Sequence, residues 1–312
     1  MTPAPAIETY DLRKEFGDQV AVADLTLTVE RGEVFGFLGP NGAGKTTSVK
    51  MLLGLVHPTA GSARLLGHPI ADFRARARVG FLPEHFRFHE WQTGAEFLAF
   101  HAELHGMARG EARRRTGDLL DLVGLAQERA RRLRHYSKGM LQRIGLAQAL
   151  LHDPEVVFLD EPTSGLDPGG RRLVREILRD LARRGTTVFL NSHLLSEIER
   201  ICDRVAFVRQ GIVLRMGTLA SFADGTLEVE VRAHGLTDEA VRGLARWASD
   251  IRREDGTLRF RTAGEATLPA IHRHLVAEGA DLISFRPDTP SLEDVFLRIV
   301  GAAGDAPPGA TE

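Results

Sequence analysis

The sequence predicts an α/β protein: a mainly parallel sheet with an antiparallel β subdomain, a helical insertion, and a small C-terminal α+β domain. Continuous apolar runs at residues 34–38, 156–159 and 186–190 are typical of parallel strands buried on both faces. The stretch 172–184 carries apolar residues at helical spacing and would form the crossover between the last two strands. Beyond residue 217 the pattern becomes β-α-β-β-α-β, which predicts a ferredoxin-like unit.

Composition excludes several classes of protein. The 312 residues include 42 acidic and 40 basic ones, a formal net charge of −2, which offers no electrostatic attraction for nucleic acid, so we expect no nucleic-acid partner. The single cysteine, Cys202, excludes an intrachain disulfide and a cysteine-based zinc site. No apolar run approaches the roughly 18 residues of a membrane helix, and the first residues do not resemble a secretory signal. We therefore expect an intracellular chain without a membrane span.

Residues 1–217 are predicted to form the first domain. Leu25, Leu27 and Val29 lie two positions apart, which indicates a half-buried antiparallel strand near the N-terminus. The apolar run at 34–38 ends in a glycine-rich turn that leads into a helical stretch. This order of strand, turn and helix is the local setting of many ligand sites in α/β proteins.

A helical subdomain is expected at about residues 89–153, inserted between the two halves of the sheet. Thr93 and Glu96 have the spacing of a capping box, which predicts the start of its first helix. Ser137 would cap its third helix, since a serine hydroxyl satisfies backbone N–H groups of the first turn.

Residues 218–300 are predicted to form the second, accessory domain. Apolar and polar residues alternate strictly over 227–231, which predicts a strand, and Asp255 with Gly256 predicts the tip of a hairpin. Residues 301–312 are expected to be a disordered tail. We find no catalytic group of residues in this domain.

The turn after the first apolar run matches the pattern GxxxxGK[ST], the phosphate loop. Its glycines allow backbone N–H groups to face one anion, and the following helix adds its positive N-terminal end. Lys45 would place a compact charge on the terminal phosphates, and the Thr46 hydroxyl would ligate Mg²⁺. The predicted nucleotide-binding residues of this loop are Gly39, Pro40, Asn41, Gly42, Ala43, Gly44, Lys45, Thr46 and Thr47.

Two carboxylates follow the apolar run at 156–159, where the carboxyl ends of α/β strands place ligand sites. Asp160 would hold the magnesium shell, and Glu161 would activate a water molecule. Together with the phosphate loop they predict a nucleotide-hydrolysing enzyme, while a metabolite or nucleotide kinase would use the same loop and is the alternative from these residues alone.

The order of further motifs resembles the ATP-binding subunit of ABC transporters over about residues 7–217. Ser137 and Gly139, about twenty residues before Asp160, match the family's Leu-Ser-Gly-Gly-Gln signature in position and type. The segment 290–297 is similar to the C-terminal extension of bacterial multidrug and antibiotic exporter cassettes. The signature residues implied by the resemblance are Ser137, Lys138, Gly139 and Met140.

The resemblance also implies roles for residues elsewhere in the chain. His193 would be the switch histidine that contacts the γ-phosphate, and Phe16 would stack on adenine. Glu84 stands where relatives carry glutamine in the loop that couples the nucleotide to the membrane subunit. An acid there could ligate Mg²⁺, but it adds negative charge near the phosphates. The D-loop, which reaches across the dimer in relatives, would comprise Ser164, Gly165, Leu166 and Asp167.

The function that the resemblance implies is hydrolysis of ATP with Mg²⁺ by a homodimer, with Glu161 and His193 as catalytic residues. Each ATP would lie between the phosphate loop of one copy and the signature of the other. A separate transmembrane permease, acting as an exporter, would hold the dimer at the cytoplasmic face of the cell membrane. The alternative is a soluble ABC-type ATPase that acts on ribosomes or nucleic acid, which the arginine clusters at 113–115 and 129–134 keep open.

Overall fold

In the computed structural model the chain divides into two compact units, residues 1–217 and 218–312. The structure describes residues 4–85, 87–192, 194–222, 226–254, 257–288 and 291–302.

The first unit contains a ten-stranded sheet in its described part. In chain order the strands are β1 (Ile7–Phe16), β2 (Gln19–Val29), β3 (Val34–Leu38), β4 (Ala60–Leu65), β5 (His68–Pro69), β6 (Val79–Leu82), β7 (Val156–Asp160), β8 (Thr187–Asn191), β9 (Arg204–Arg209) and β10 (Ile212–Thr218). Across the sheet they lie in the order β5-β4-β1-β2-β10-β9-β3-β8-β7-β6. Strands β9, β3, β8, β7 and β6 pair in parallel, and β5, β4, β1 and β2 pair antiparallel. The predicted fold class is therefore confirmed.

Three adjacent parallel strands form the centre of the first unit. Every residue of β3, β7 and β8 is buried, as expected of strands covered on both faces. Phe189 in β8 lies opposite Phe35 and Phe158 in the flanking strands, and its ring centroid lies 5.7 Å and 5.1 Å from theirs. This aromatic row fixes the register, so that the carboxyl ends of the three strands meet at one edge of the sheet.

The helices of the first unit include the predicted insertion. They are α1 (Lys45–Leu52), α2 (Phe73–Arg76), α3 (Gly94–Leu104), α4 (Arg109–Leu122), α5 (Lys138–Ala149), α6 (Pro168–Arg183) and α7 (Leu195–Ile201). The Thr93 hydroxyl accepts from the N–H of Glu96, and the Glu96 carboxylate accepts from the N–H of Thr93, which confirms the capping box. Ser137 caps α5 by accepting from the N–H of Met140. Among the described residues, no helix combines the length and apolarity needed to span a bilayer.

The second unit has the predicted β-α-β-β-α-β order. Its elements are α8 (Leu219–Phe222), β11 (Thr226–His234), α9 (Asp238–Gly243), β12 (Ala248–Glu254), β13 (Thr257–Ala263), α10 (Leu268–Ala277), β14 (Asp281–Asp288) and α11 (Leu292–Ala302). The strands form an antiparallel sheet in the order β12-β13-β11-β14, and Val229, Val231 and Phe260 of this sheet are buried with Ile271 and Leu275 of α10.

Two expectations for the second unit fall partly outside the described residues. The predicted hairpin tip, Asp255 and Gly256, lies there, although Glu254 and Thr257 on either side of it are paired. Helix α11 extends to Ala302, so the first two residues of the expected tail are helical. Residues 303–312 lie outside the described part.

Candidate functional site

The turn between β3 and α1 has a conformation that requires glycine at specific positions. Gly42 and Gly44 have φ of +81° and +88°, in the left-handed region. A Cβ on Gly44 would lie 2.4 Å from the carbonyl oxygen of Ala21, and one on Gly39 would lie 2.2 Å from that of Val208. The loop is thus packed directly against backbone on two sides, and only glycine fits there.

Lys45 begins α1 and folds back over this turn. Its Nζ donates to the carbonyl oxygens of Gly39 and Pro40 at 2.7 Å and 3.1 Å. Burial lowers the pKa of Lys45, while the nearby charges of Glu161, Asp160 and Glu84 oppose that shift. The ammonium group is therefore positioned at the N-terminal end of a helix, where an anion would be stabilised.

Asp160 ends β7 beside the end of β8. Asn191 lies opposite Asp160 in the parallel pair, and its side-chain amide donates to Asp160 Oδ1 at 2.6 Å. Burial raises the pKa of Asp160, and the hydrogen bond from Asn191 opposes that rise because it stabilises the carboxylate. Asn191 also lines the cavity at the turn. In the sequence, the only signal of Asn191 is a polar side chain immediately after an apolar run.

Glu161 is held in an unusual backbone conformation by contacts from two directions. Its φ of +52° lies in the left-handed region. Its N–H donates to the carbonyl oxygen of Asn191 at 2.9 Å, and Gln142 of α5 donates to its carbonyl oxygen at 2.9 Å. The hydroxyl of Ser192 donates to Glu161 Oε2 at 3.3 Å. Strained backbone that neighbouring groups hold in place is typical of functional sites.

The phosphate-loop turn and the two carboxylates enclose one cavity of about 320 Å³. It is lined by Gln19, Val20, Ala21, Asn41, Gly42, Ala43, Gly44, Lys45, Thr46, Thr47, Glu84, Asp160, Glu161 and Asn191. A larger cavity of about 650 Å³ lies in the second unit, lined mostly by acidic and arginine side chains. We place the chemistry in the smaller cavity, because a turn that can bind phosphate faces carboxylates there.

The signature residues and the D-loop contact each other and do not line this cavity. A Cβ on Gly139 would lie 3.1 Å from Leu166 Cδ2, and one on Gly165, whose φ is +72°, would lie 2.7 Å from Lys138 Cδ. Ser137 is exposed at the start of α5. The Ser164 N–H donates to the Glu161 carbonyl oxygen at 3.1 Å, and Asp167 caps α6.

The remaining predicted site residues differ in their positions. Phe16 ends β1 with 52% of its surface exposed, and Lys14 Nζ lies 4.8 Å from its ring centroid. Phe16 does not line the cavity, although Gln19 on the following strand does. Glu84 lines the cavity from the loop after β6. His193 lies outside the described residues.

Comparisons with known proteins agree with this geometry. The model of the ABC transporter family matches residues 22–164, and that of the ATP-binding protein DrrA1-3-like C-terminal domain matches residues 220–300. An ABC transporter ATP-binding protein of Synechocystis is 43% identical over 304 residues, which cover 95% of this chain and 84% of that one. Nod factor export ATP-binding protein I of Burkholderia lata is 35% identical, with 96% and 98% covered.

A solved structure described as the ATP-binding subunit of an ABC transporter is also similar. It superposes with a TM-score of 0.65 at 32% sequence identity, covering 70% of this chain and 91% of that one. The parallel core, the phosphate-loop turn and the relatives thus agree. The chain belongs to the ATP-binding subunits of ABC transporters, and it carries an ABC ATPase domain.

Proposed function

We propose that two copies of this chain bind and hydrolyse ATP at shared sites and so drive an exporter whose transmembrane permease is a separate chain. The observation that carries this proposal is the single cavity in which the phosphate loop faces Asp160 and Glu161. The name of the Burkholderia relative, an export ATP-binding protein, supports the direction of transport.

Binding of the triphosphate uses Lys45 and the N-terminal end of α1. The ammonium group now donates to two carbonyl oxygens of its own loop, and it would exchange these for the terminal phosphates. The first N–H groups of α1 have no acceptor within the helix, so they would donate to the same phosphates. Phe16 is the proposed contact for adenine, because its ring is exposed and an aromatic face can stack on a base.

The residues beside the phosphate loop fit a magnesium ion. A carboxylate and a hydroxyl are hard oxygen ligands, and Asp160 and Thr46 present them in one cavity. The hydrogen bond from Asn191 orients Asp160 for this role. Bound Mg²⁺ would neutralise charge on the phosphate oxygens.

Glu161 is the proposed base that orients and deprotonates the attacking water. Its backbone is fixed by Asn191 and Gln142, and one of its carboxylate oxygens accepts from Ser192. A fixed backbone keeps the carboxylate beside the cavity, where it can accept a proton from water. His193, two residues after Asn191, is proposed to contact the γ-phosphate.

Completion of the site requires a second copy. Ser137 and Gly139 lie outside the cavity of their own chain, while Ser137 is exposed at the N-terminal end of α5. In a head-to-tail pair with twofold symmetry, both signatures would face the partner's phosphate loop, and the D-loop of residues 164–167 would lie at the seam. Each helix end would then contribute a second set of N–H groups to the γ-phosphate.

The permease is proposed to dock beside the nucleotide cavity and to hold the dimer peripherally at the cytoplasmic face of the membrane. A groove of about 590 Å³ runs between the loop after β6 and α5. Glu84 lines both the groove and the nucleotide cavity. A permease segment in the groove would therefore contact a residue that faces the nucleotide.

The first experiment measures release of inorganic phosphate from Mg-ATP by the purified chain, with and without its co-purified membrane partner. Lys45→Ala should abolish tight ATP binding and turnover, because the loop loses its cation. Lys50→Ala, an exposed lysine on the same helix, is the control and should behave as wild type. Tight ATP binding by Lys45→Ala would contradict the phosphate-loop assignment.

The second experiment tests the shared site by gel filtration. Glu161→Gln should bind ATP, lose at least about 100-fold in turnover and elute as a dimer. Ser137→Arg should block hydrolysis, because a bulky cation would fill the partner's site. Full turnover by a protein that stays monomeric with ATP would refute the shared site. Recovery of RNA rather than a membrane protein on purification would favour the alternative class of ABC ATPases.

A further inference from the structure

Glu84 brings a third carboxylate to the cavity that contains the phosphate loop. It lies two residues beyond β6, which pairs in parallel with β7. Chain segments that leave two neighbouring parallel strands emerge at the same edge of the sheet. The loop after β6 and the acids after β7 therefore meet, and Glu84 lines the same cavity as Asp160 and Glu161.

The formal charges of the ionisable side chains that line this cavity do not sum to zero. Among the described lining residues, Glu84, Asp160 and Glu161 are acidic, and Lys45 is the only one with a cationic side chain. Three carboxylates and one ammonium give a formal excess of two negative charges. The charge of Glu84 acts across the cavity: burial raises the pKa of Asp160, and the charge of Glu84 raises it further.

In the part of the chain that the structure describes, the groups beside Glu84 compensate little of its charge. The positive end of α1 corresponds to about half an elementary charge. His85 Nδ1 lies 3.7 Å from Glu84 Oε1, beyond hydrogen-bond distance, and the ring is charged only when protonated. The Glu84 carboxylate thus presents negative charge to an incoming polyanion.

We propose that Glu84 makes the cavity select nucleotide that arrives as a complex with a divalent cation, by repelling the cation-free triphosphate. The inference rests on the proposed ATP-binding function. The cation-free triphosphate carries about twice the negative charge of the complex, so a fixed carboxylate disfavours it more strongly. A glutamine at this position would keep the size and shape of the side chain and remove the discriminating charge.

The test compares dissociation constants of the non-hydrolysable analogue AMP-PNP, measured by calorimetry in EDTA and in MgCl₂. For wild type, the dissociation constant measured in EDTA should be much larger than the one measured in MgCl₂, so the ratio of the two should be large. Glu84→Gln should reduce this ratio about tenfold, which corresponds to about 1.4 kcal/mol, by tightening binding in EDTA. The reduction should shrink at high salt, since the Glu84 side chain is 52% exposed.

Glu103→Gln is the matched control, because it removes one exposed negative charge from α3 outside the cavity. It should leave the ratio unchanged. An unchanged ratio in Glu84→Gln would overturn the inference, and so would a ratio that falls only because binding in MgCl₂ weakens, which would make Glu84 a direct cation ligand. Wild type that binds AMP-PNP in neither condition would instead refute the proposed function.

Discussion

Substitution of Gly44 by alanine tests two physical requirements of the phosphate-loop turn, a left-handed backbone conformation and close packing against a neighbouring backbone. At Gly44 the φ of +88° strains any residue with a Cβ, by about 1–2 kcal/mol. The added Cβ would also lie 2.4 Å from the carbonyl oxygen of Ala21, so the backbones must move apart, at a cost of about 1–3 kcal/mol. We expect Gly44→Ala to lose about 3 kcal/mol of stability in total.

Gly42 provides the matched comparison within the same turn. Its φ of +81° is similar, but a Cβ there would meet no atom within 4 Å. Gly42→Ala should therefore show only the conformational term, about 1–2 kcal/mol. In a domain of this size 1 kcal/mol lowers the melting temperature by about 2–4 °C, so the two variants should differ measurably.

The assays are thermal unfolding by circular dichroism and calorimetric binding of AMP-PNP with MgCl₂. Displacement of the loop in Gly44→Ala should weaken nucleotide binding, and Gly42→Ala should weaken it much less. Equal effects of the two substitutions on melting temperature would refute the steric part of this reasoning. Wild-type affinity in Gly44→Ala would refute the view that close backbone packing positions the loop.

Two further predictions concern ionisable side chains that are buried or partly buried, and both are tested by urea denaturation. Burial, followed by the charge of His105, lowers the pKa of His152 to about 4. Below about pH 6.5 residue 152 binds a proton in the unfolded chain but not in the folded chain. The stability that the neutral His152 contributes is therefore present above that pH and is lost as the pH falls toward 4. After a discount for partial exposure, we expect the free energy of unfolding of wild type to fall by about 2 kcal/mol over this pH range. His152→Phe should lack this fall, and an equal pH dependence in that variant would contradict its assignment to His152. Arg175 donates to both carboxylate oxygens of Glu197 at 3.0 Å and 2.8 Å, so Arg175→Met should lose about 3 kcal/mol by leaving a buried charge unpaired. Most of that loss should return when Glu197→Leu is added, and a double variant no more stable than the single one would argue against the pairing.

The elements with strong local signals could be predicted from the sequence. Strands β3, β7 and β8 are continuous apolar runs, and the capping box at Thr93 and the N-cap at Ser137 follow from residue type and spacing. The phosphate-loop turn could also be predicted, because its glycines and Lys45 occupy fixed positions in one short segment. In each case the determining residues are neighbours in the chain.

Features that depend on contacts between distant segments could not be predicted. Asn191 reaches Asp160 across 31 positions, and Gln142 reaches the carbonyl oxygen of Glu161 across 19. Asn191 belongs to no motif, and Gln142 follows the signature without a role assigned to it, so only the strand register and the packing of α5 reveal these contacts. The placement of Phe16 outside the cavity lining also depends on how β1 and β2 are paired, which periodicity does not determine.

The seating of Lys138 on Gly165 has a mechanical consequence. The methylene groups of Lys138 occupy the space that a side chain at residue 165 would need, and Leu166 fills the corresponding space at Gly139. In each of these two segments a glycine leaves a space that a side chain of the other segment fills. The segments can therefore slide past each other only if both contacts are broken. A displacement of the first turn of α5 would therefore be passed through these two contacts to the segment that leads into α6.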